Sequence, residues 1–195
     1  MTETETETES RARRYPLLAA PHVRLAGTID HDMYASFRDQ IAKAPAEGTI
    51  VVSLSTLGGD PEVARLMGDE VRLLRDYTAR ELLFLGKVAV YSAGATFMAH
   101  FPADKRFLTR ETRIMIHERQ MTKTVELSGP LRACVASLKA TLHEIEQSID
   151  IEEEGFRDII AGTKVAFDEV RERAPTNWYI GAEEARDLGL VLDVI

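Results

Sequence analysis

At 195 residues, 45% hydrophobic and 29% charged, the chain has ordinary globular composition. That excludes a disordered or fibrous protein and suits one α/β domain with a sizeable core, not two. The formal net charge is -8 and no Lys/Arg-rich face is visible, which disfavours nucleic acid or an anionic membrane as partner. Cys134 stands alone, so no intrachain disulfide or cysteine-built zinc cluster is expected, and a reducing cytoplasm fits.

Residues 1–14, MTETETETESRARR, form a polar low-complexity tract with nothing to bury, read as a disordered tail ahead of a single domain over 15–195. The tract has no apolar h-region, and no later stretch approaches the roughly 20 apolar residues that span a bilayer, so neither export nor membrane insertion is expected. Val23 to Gly27 reads as a short strand, and Met33, Phe37 and Ile41 stand at helical spacing within Met33 to Ala44. Thr49 to Leu54 is an apolar, β-branched run of the kind found in buried parallel strands. It ends at Leu57-Gly58-Gly59-Asp60, after which Val63, Leu66, Met67, Val71 and Leu74 restore the helical period from Pro61 to Arg75. Asp60 before Pro61 suits an N-cap.

A second strand-turn-helix unit follows: Leu82 to Leu85 and Val88 to Val90 are strand-like, and Ser92 to Ala99 is small, then apolar. Phe107-Leu108 and Arg113 to Ile116 give further short strands, with His117 directly after the last. Leu131 to about Arg173 is largely helical by pattern, with a break expected near Gly155 or Gly162. Trp178 to Ile180 and Leu190 to Ile195 read as closing strands around a helix over Ala182 to Leu188. Strands alternating with helices predict an α/β fold with a largely parallel sheet.

Three places then fall at strand ends: the Gly58-Gly59 turn, Ser92 and His117. Sites of parallel sheets collect there, because loops aim polar groups into a crevice. A serine hydroxyl becomes a useful nucleophile when an imidazole accepts its proton, and acyl transfer also needs amide donors for the oxyanion. Ser92 is the candidate nucleophile, His117 the candidate base, and the N–H groups of Gly59 and Ala93 the candidate oxyanion donors. Taken singly, Ser-Ala-Gly-Ala is an ordinary helix start, a histidine after a strand is an ordinary structural residue, and Leu-Gly-Gly-Asp an ordinary turn.

Together these segments resemble the Clp protease proteolytic subunit, within the ClpP/crotonase superfamily, from about Val23 to Ile195. Arg24 to Asp30 resembles the family's opening strand, and Ser55-Thr56-Leu57-Gly58-Gly59 stands where the family usually has Asn-Ser-Pro-Gly-Gly. Ser92-Ala93-Gly94-Ala95 resembles the nucleophile segment, and Lys105-Arg106 with Arg113-Ile-Met-Ile-His117 resembles the family's Lys-Arg and Arg-Ile-Met-Ile-His run. Ser92 and His117 are 25 residues apart, the family's own separation. Ala182-Glu183-Glu184-Ala185 with Gly189-Leu190-Val191 resembles its C-terminal signature, although Leu192 intervenes before Asp193. The resemblance implies repeated ββα units with a largely parallel sheet, and a serine endopeptidase with oxyanion donors at Gly59 and Ala93. It also implies a homo-oligomer of stacked seven-subunit rings, a tetradecamer, acting on polypeptides supplied by an ATP-dependent unfoldase. A protruding handle helix would fall on Leu131 to about Gln147, and the tail, with Arg11, Arg13 and Arg14, near an axial pore. No metal or other cofactor is implied.

Three departures are visible. Alignment through the last long helix puts Arg173 where the family has its triad acid, and an arginine cannot accept the imidazole N–H; Glu172, Asp168 and Asn177 are nearby substitutes, so the third member stays unassigned. Val88 to Tyr91 replaces small residues before Ser92 and is expected to narrow the cleft. Glu118 to Val125 lacks the glycines of the family's substrate-pairing strand. The competing readings are a catalytically silent ring subunit, motivated by Arg173; a crotonase-like acyl-CoA enzyme, which needs no Ser92–His117 pair; and a signal-peptide-peptidase-like enzyme with a lysine base, for which Lys87, five residues before Ser92, is the candidate.

Overall fold

The structure is a computed structural model that describes residues 15–78 and 80–195; the tail over 1–14 lies outside the described residues. Seven strands form one sheet: β1 (Val23–Ala26), β2 (Ile50–Thr56), β3 (Leu82–Tyr91), β4 (Arg106–Leu108), β5 (Arg113–Ile116), β6 (Trp178–Gly181) and β7 (Asp193–Val194). Among the described residues six α-helices accompany them: α1 (His31–Lys43), α2 (Pro61–Thr78), α3 (Ala93–Ala99), α4 (Leu131–Ile160), α5 (Phe167–Arg173) and α6 (Ala182–Asp187). The architecture is α/β with a mostly parallel sheet, as the alternation of strands and helices predicts.

The order β1-β2-β3-β4-β7 is parallel throughout. Strand β3 is one continuous element where the sequence suggests two runs, because it bends instead of ending. Its first half pairs with β4 through Phe84–Gly86 and its second half with β5 through Ala89–Tyr91. Between them the register against β2 slips and Val88 takes φ 61, the signature of a bulge. The bend lets β5 lie beside the far end of β3, where Tyr91 is level with Met115. Ser92 and His117, each just beyond its strand, therefore emerge at the same edge. β6 closes this side antiparallel to β5.

The core lies where α1, α2 and α3 cover the sheet. β2 is buried almost end to end, its apolar residues flanked by neighbouring strands and its buried Ser53 and Thr56 hydrogen-bonded to main chain, and Phe84, Phe97 and Phe101 pack edge-on or tilted with centroids 5.3 to 6.4 Å apart. Asp60 caps α2 as its place before Pro61 suggests, its carboxylate accepting from the Glu62 and Val63 amides at 2.8 and 3.3 Å. Arg106 is 1% exposed, and among the described residues no carboxylate pairs with it. Its guanidinium donates to the carbonyls of Ala99, Phe101, Ile159 and Leu190. Two of those carbonyls close helices α3 and α4, whose C-termini carry partial negative charge. Burial nevertheless lowers its pKa to about 10.

Helix α4 runs unbroken through Gly155 and ends before Gly162, whose φ of 74 turns the chain. Its buried residues are Phe156 and Ile159; none between Leu131 and Gly155 is buried. Leu131, Val135, Leu138, Leu142, Ile145 and Ile149 stand exposed at alternating spacings of four and three, so the helix projects an apolar stripe from the body as a handle. The last strand is short: Asp193–Val194 pairs with β4, while Leu190 and Val191 are buried outside the ladder. Among the described residues no helix is long and apolar enough to cross a membrane.

Candidate active site

Ser92 sits between β3 and α3 with φ 54 and ψ -117, a conformation that an L-residue rarely adopts and that costs about 1–3 kcal/mol. Its surroundings enforce it. The Ser92 N–H donates to the Met115 carbonyl at 2.8 Å, and its own carbonyl accepts from the Ala95 and Thr96 amides. Side-chain size is constrained too: a Cβ on Gly94 would come within 2.5 Å of the Thr56 side chain.

The Gly58-Gly59 turn lies directly against this serine. Thr56 Oγ1 accepts from the Gly58 N–H at 3.0 Å and fixes the turn, while Ile29 is bonded to it on both sides, donating to Gly58 O and accepting from the Asp60 N–H. Gly59 has φ 149, and a Cβ there would stand 2.2 Å from the Ile29 carbonyl oxygen. A Cβ on Gly58 would stand 3.0 Å from Ser92 Cβ. Glycine is thus required twice, by backbone approach and by φ. The Gly59 N–H takes no part in the turn's hydrogen bonds, and the N–H of Ala93, first residue of α3, has no intrahelical acceptor.

His117 Nε2 and Ser92 Oγ are 2.6 Å apart. With the ring proton on Nδ1, the hydroxyl donates to Nε2. Burial lowers the His117 pKa, so the imidazole is neutral, and able to accept a proton, at neutral pH. Among the described residues no hydrogen bond to His117 Nδ1 is present, and neither Glu172, Asp168 nor Asn177 reaches it. Arg173 ends α5, pairs with Glu169 at 3.0 Å and lies 4.3 Å above the Trp178 ring. The β5–β6 register matches Ile116 with Trp178; continued by one residue, it sets Asn177, not Arg173, level with His117. A 3-10 turn, Ala174–Thr176, separates Arg173 from Asn177, which takes φ 61.

The pair opens into a cleft of about 1030 Å³ walled by α2, α4 and the segment that follows His117. The expectation that Val88 to Tyr91 would narrow it is not met. Val88 is 69% exposed on the bulge, and the Tyr91 ring packs edge-on against Tyr179. Lys87 is likewise absent from the lining. Residues 118–128 enter no strand ladder, and contacts that sequence reasoning missed pin them: Lys123 pairs with Glu144 of α4, and Arg119 is attached twice. The Arg119 guanidinium donates to Glu62 Oε1 at 2.8 Å, and its main-chain N–H donates to Glu152 Oε2. Burial raises the Glu62 carboxyl, but Arg119 and Arg65 more than offset it and hold its pKa low. For Glu152 burial dominates and raises the pKa.

No family model matches the chain. Among curated proteins it is 23% identical over 181 residues, 92% of this chain and 86% of the relative, to the ATP-dependent Clp protease proteolytic subunit 3 of Rhizobium johnstonii. Among solved structures it superposes on an asparagine-to-aspartate mutant of ClpP1 from Listeria monocytogenes with a TM-score of 0.70 and 19% identity, covering 89% of this chain and 90% of that one. In sequence over nine-tenths of its length, and in fold, the chain is Clp proteolytic-subunit-like.

Proposed function

We propose that the chain is a serine endopeptidase of the Clp proteolytic-subunit type, with Ser92 as nucleophile and His117 as general base. The observation that carries this reading is the 2.6 Å contact between Ser92 Oγ and His117 Nε2, made beside two amides with no other assignment. As Oγ attacks a peptide carbonyl, its proton passes to Nε2, and the amides of Gly59 and Ala93 stabilise the oxyanion. The imidazolium then protonates the departing amine. Water, deprotonated by the same histidine, hydrolyses the acyl-enzyme and restores Ser92. The strain at Ser92 keeps Oγ presented to the cleft.

The assembly we propose is a homo-oligomer of stacked rings, seven subunits each, fed with unfolded polypeptide by an ATP-dependent unfoldase in the cytoplasm. The exposed stripe from Leu131 to Ile149 supports it: such a stripe is costly in water and its spacing suits a second helix. A second reading, a catalytically silent ring subunit, draws on the unpartnered Nδ1 of His117. Hydrolysis of fluorogenic peptides by the purified oligomer distinguishes the two. Active-site chemistry predicts turnover that falls by about a thousandfold or more in Ser92→Ala and in His117→Ala. A ring-sized, well-folded oligomer with no turnover supports the silent subunit.

A further inference from the structure

A histidine that serves as base normally has its ring fixed by an acceptor on the second nitrogen, and here none is present among the described residues. The backbone gives little help. The β5–β6 ladder ends at Ile116, and among the described residues no backbone-to-backbone hydrogen bond holds the chain between His117 and Ser128. Lys123, six residues on, pairs with Glu144; what holds the segment beside the imidazole is Arg119, two residues on, attached twice. Its guanidinium reaches Glu62 in the first turn of α2, a helix start already fixed by the Asp60 cap and continuous with the Gly59 turn. Its N–H reaches Glu152, one turn before Phe156 anchors α4 in the core. Two helices thus grip the segment that carries the base, one of them rigidly tied to the proposed oxyanion site.

We propose that Arg119 is a positioning residue for His117: its double attachment to Glu62 and Glu152 keeps the imidazole within hydrogen-bond reach of Ser92. The proposal rests on Ser92 and His117 acting as nucleophile and base. The ion pair itself is half in solvent, with Glu62 55% and Arg119 24% exposed, so its contribution to stability is small. Its effect is geometric, and a displacement of about 1 Å at a reacting group costs on the order of a hundredfold in rate.

The test is the rate at which a fluorophosphonate inactivates the full-length protein, measured from pH 5 to 9, with the labelled residue mapped by mass spectrometry and the melting temperature recorded. The charged and titratable groups lining the cleft with His117 are Glu62, Arg65, Asp69, Arg72 and Arg75 of α2, His100 after α3, Glu118 and Arg119 of its own segment, and Glu152, Glu154 and Asp158 of α4. Arg119→Ala is expected to slow labelling by about 10- to 100-fold. It should also move the acid-side inflection upward toward the ordinary histidine value, because a released imidazole regains water. Arg119→Lys should recover part of the rate, and Glu62→Gln should fall between. Wild-type rates with an unmoved inflection in Arg119→Ala overturn the proposal. If that variant does not fold, wild-type behaviour of both Arg119→Lys and Glu62→Gln overturns it equally. Labelling of the wild type at Ser92 that needs His117, combined with indifference to Arg119, sinks this inference and leaves the peptidase reading standing. No labelling of the wild type at Ser92 ends both.

Discussion

The two halves of the proposed catalytic pair are held by different means. Ser92 is fixed by main chain: its N–H on Met115, its carbonyl at the start of α3, Gly58 packed against it and a forced positive φ. His117 stands one residue past the end of a ladder, and its placement depends on side-chain attachments two residues downstream. Backbone constraints are set by the fold and tolerate no local substitution, whereas carboxylate–guanidinium contacts can be exchanged or screened. The nucleophile should therefore be brittle to mutation and the base tunable.

The largest effect is expected at the turn against the nucleophile. Gly59→Ala would put a methyl 2.2 Å from the Ile29 carbonyl oxygen in a backbone region that alanine disfavours. Turnover should fall by about a thousandfold or more, with a lower melting temperature. Wild-type turnover in that variant would remove the turn from the site. Next is Arg106, which ties the far end of α3 to α4. Arg106→Met would leave four buried carbonyls without their donor. Chemical denaturation should show a loss of about 3–5 kcal/mol; a loss below about 1 kcal/mol would mean that water replaces the guanidinium.

On the side of the base the effects are smaller and can be gains. Asn177→Asp would set a carboxylate level with His117 in the β5–β6 register. Such a group stabilises the imidazolium, so peptide turnover should rise, by up to about tenfold. An unchanged rate would mean that the left-handed backbone at Asn177 aims its side chain away. The pH dependence of the wild type sharpens the contrast. Burial lowers the His117 pKa, so the base stays neutral below the ordinary histidine value of about 6.5. Activity should then be retained until the pH falls below that value; an acid limb at or above it would show a solvated imidazole.

Strand and turn positions were readable because their signals are local. The run before Gly58-Gly59, the Asp60-Pro61 cap and the Arg113–Ile116 strand ending at His117 each announce themselves within a few residues. The structure brings Ser92 and His117 together as the sequence suggests, through parallel neighbours that end at one edge. What stayed hidden depends on distant partners. Arg106 finds its acceptors up to 84 residues away, and Arg119 meets Glu62 across 57. No periodicity reports such contacts. The Gly155 ambiguity had another cause: Gly155 lines the cleft, where a Cβ would meet nothing within 4 Å, so helix continuity there is decided by the anchors at Phe156 and Ile159. Asn177 stands among the substitutes by proximity in sequence, but its place level with His117 follows from the β5–β6 register, which no local signal reports.

The most direct test of the account is a crystal structure of the protein after reaction with a fluorophosphonate. The account predicts phosphorus bonded to Ser92 Oγ and a phosphoryl oxygen about 2.7–3.1 Å from both the Gly59 and Ala93 amides, with His117 alongside. Density for an unreacted Ser92, or an adduct whose oxygen points away from those amides, would contradict it.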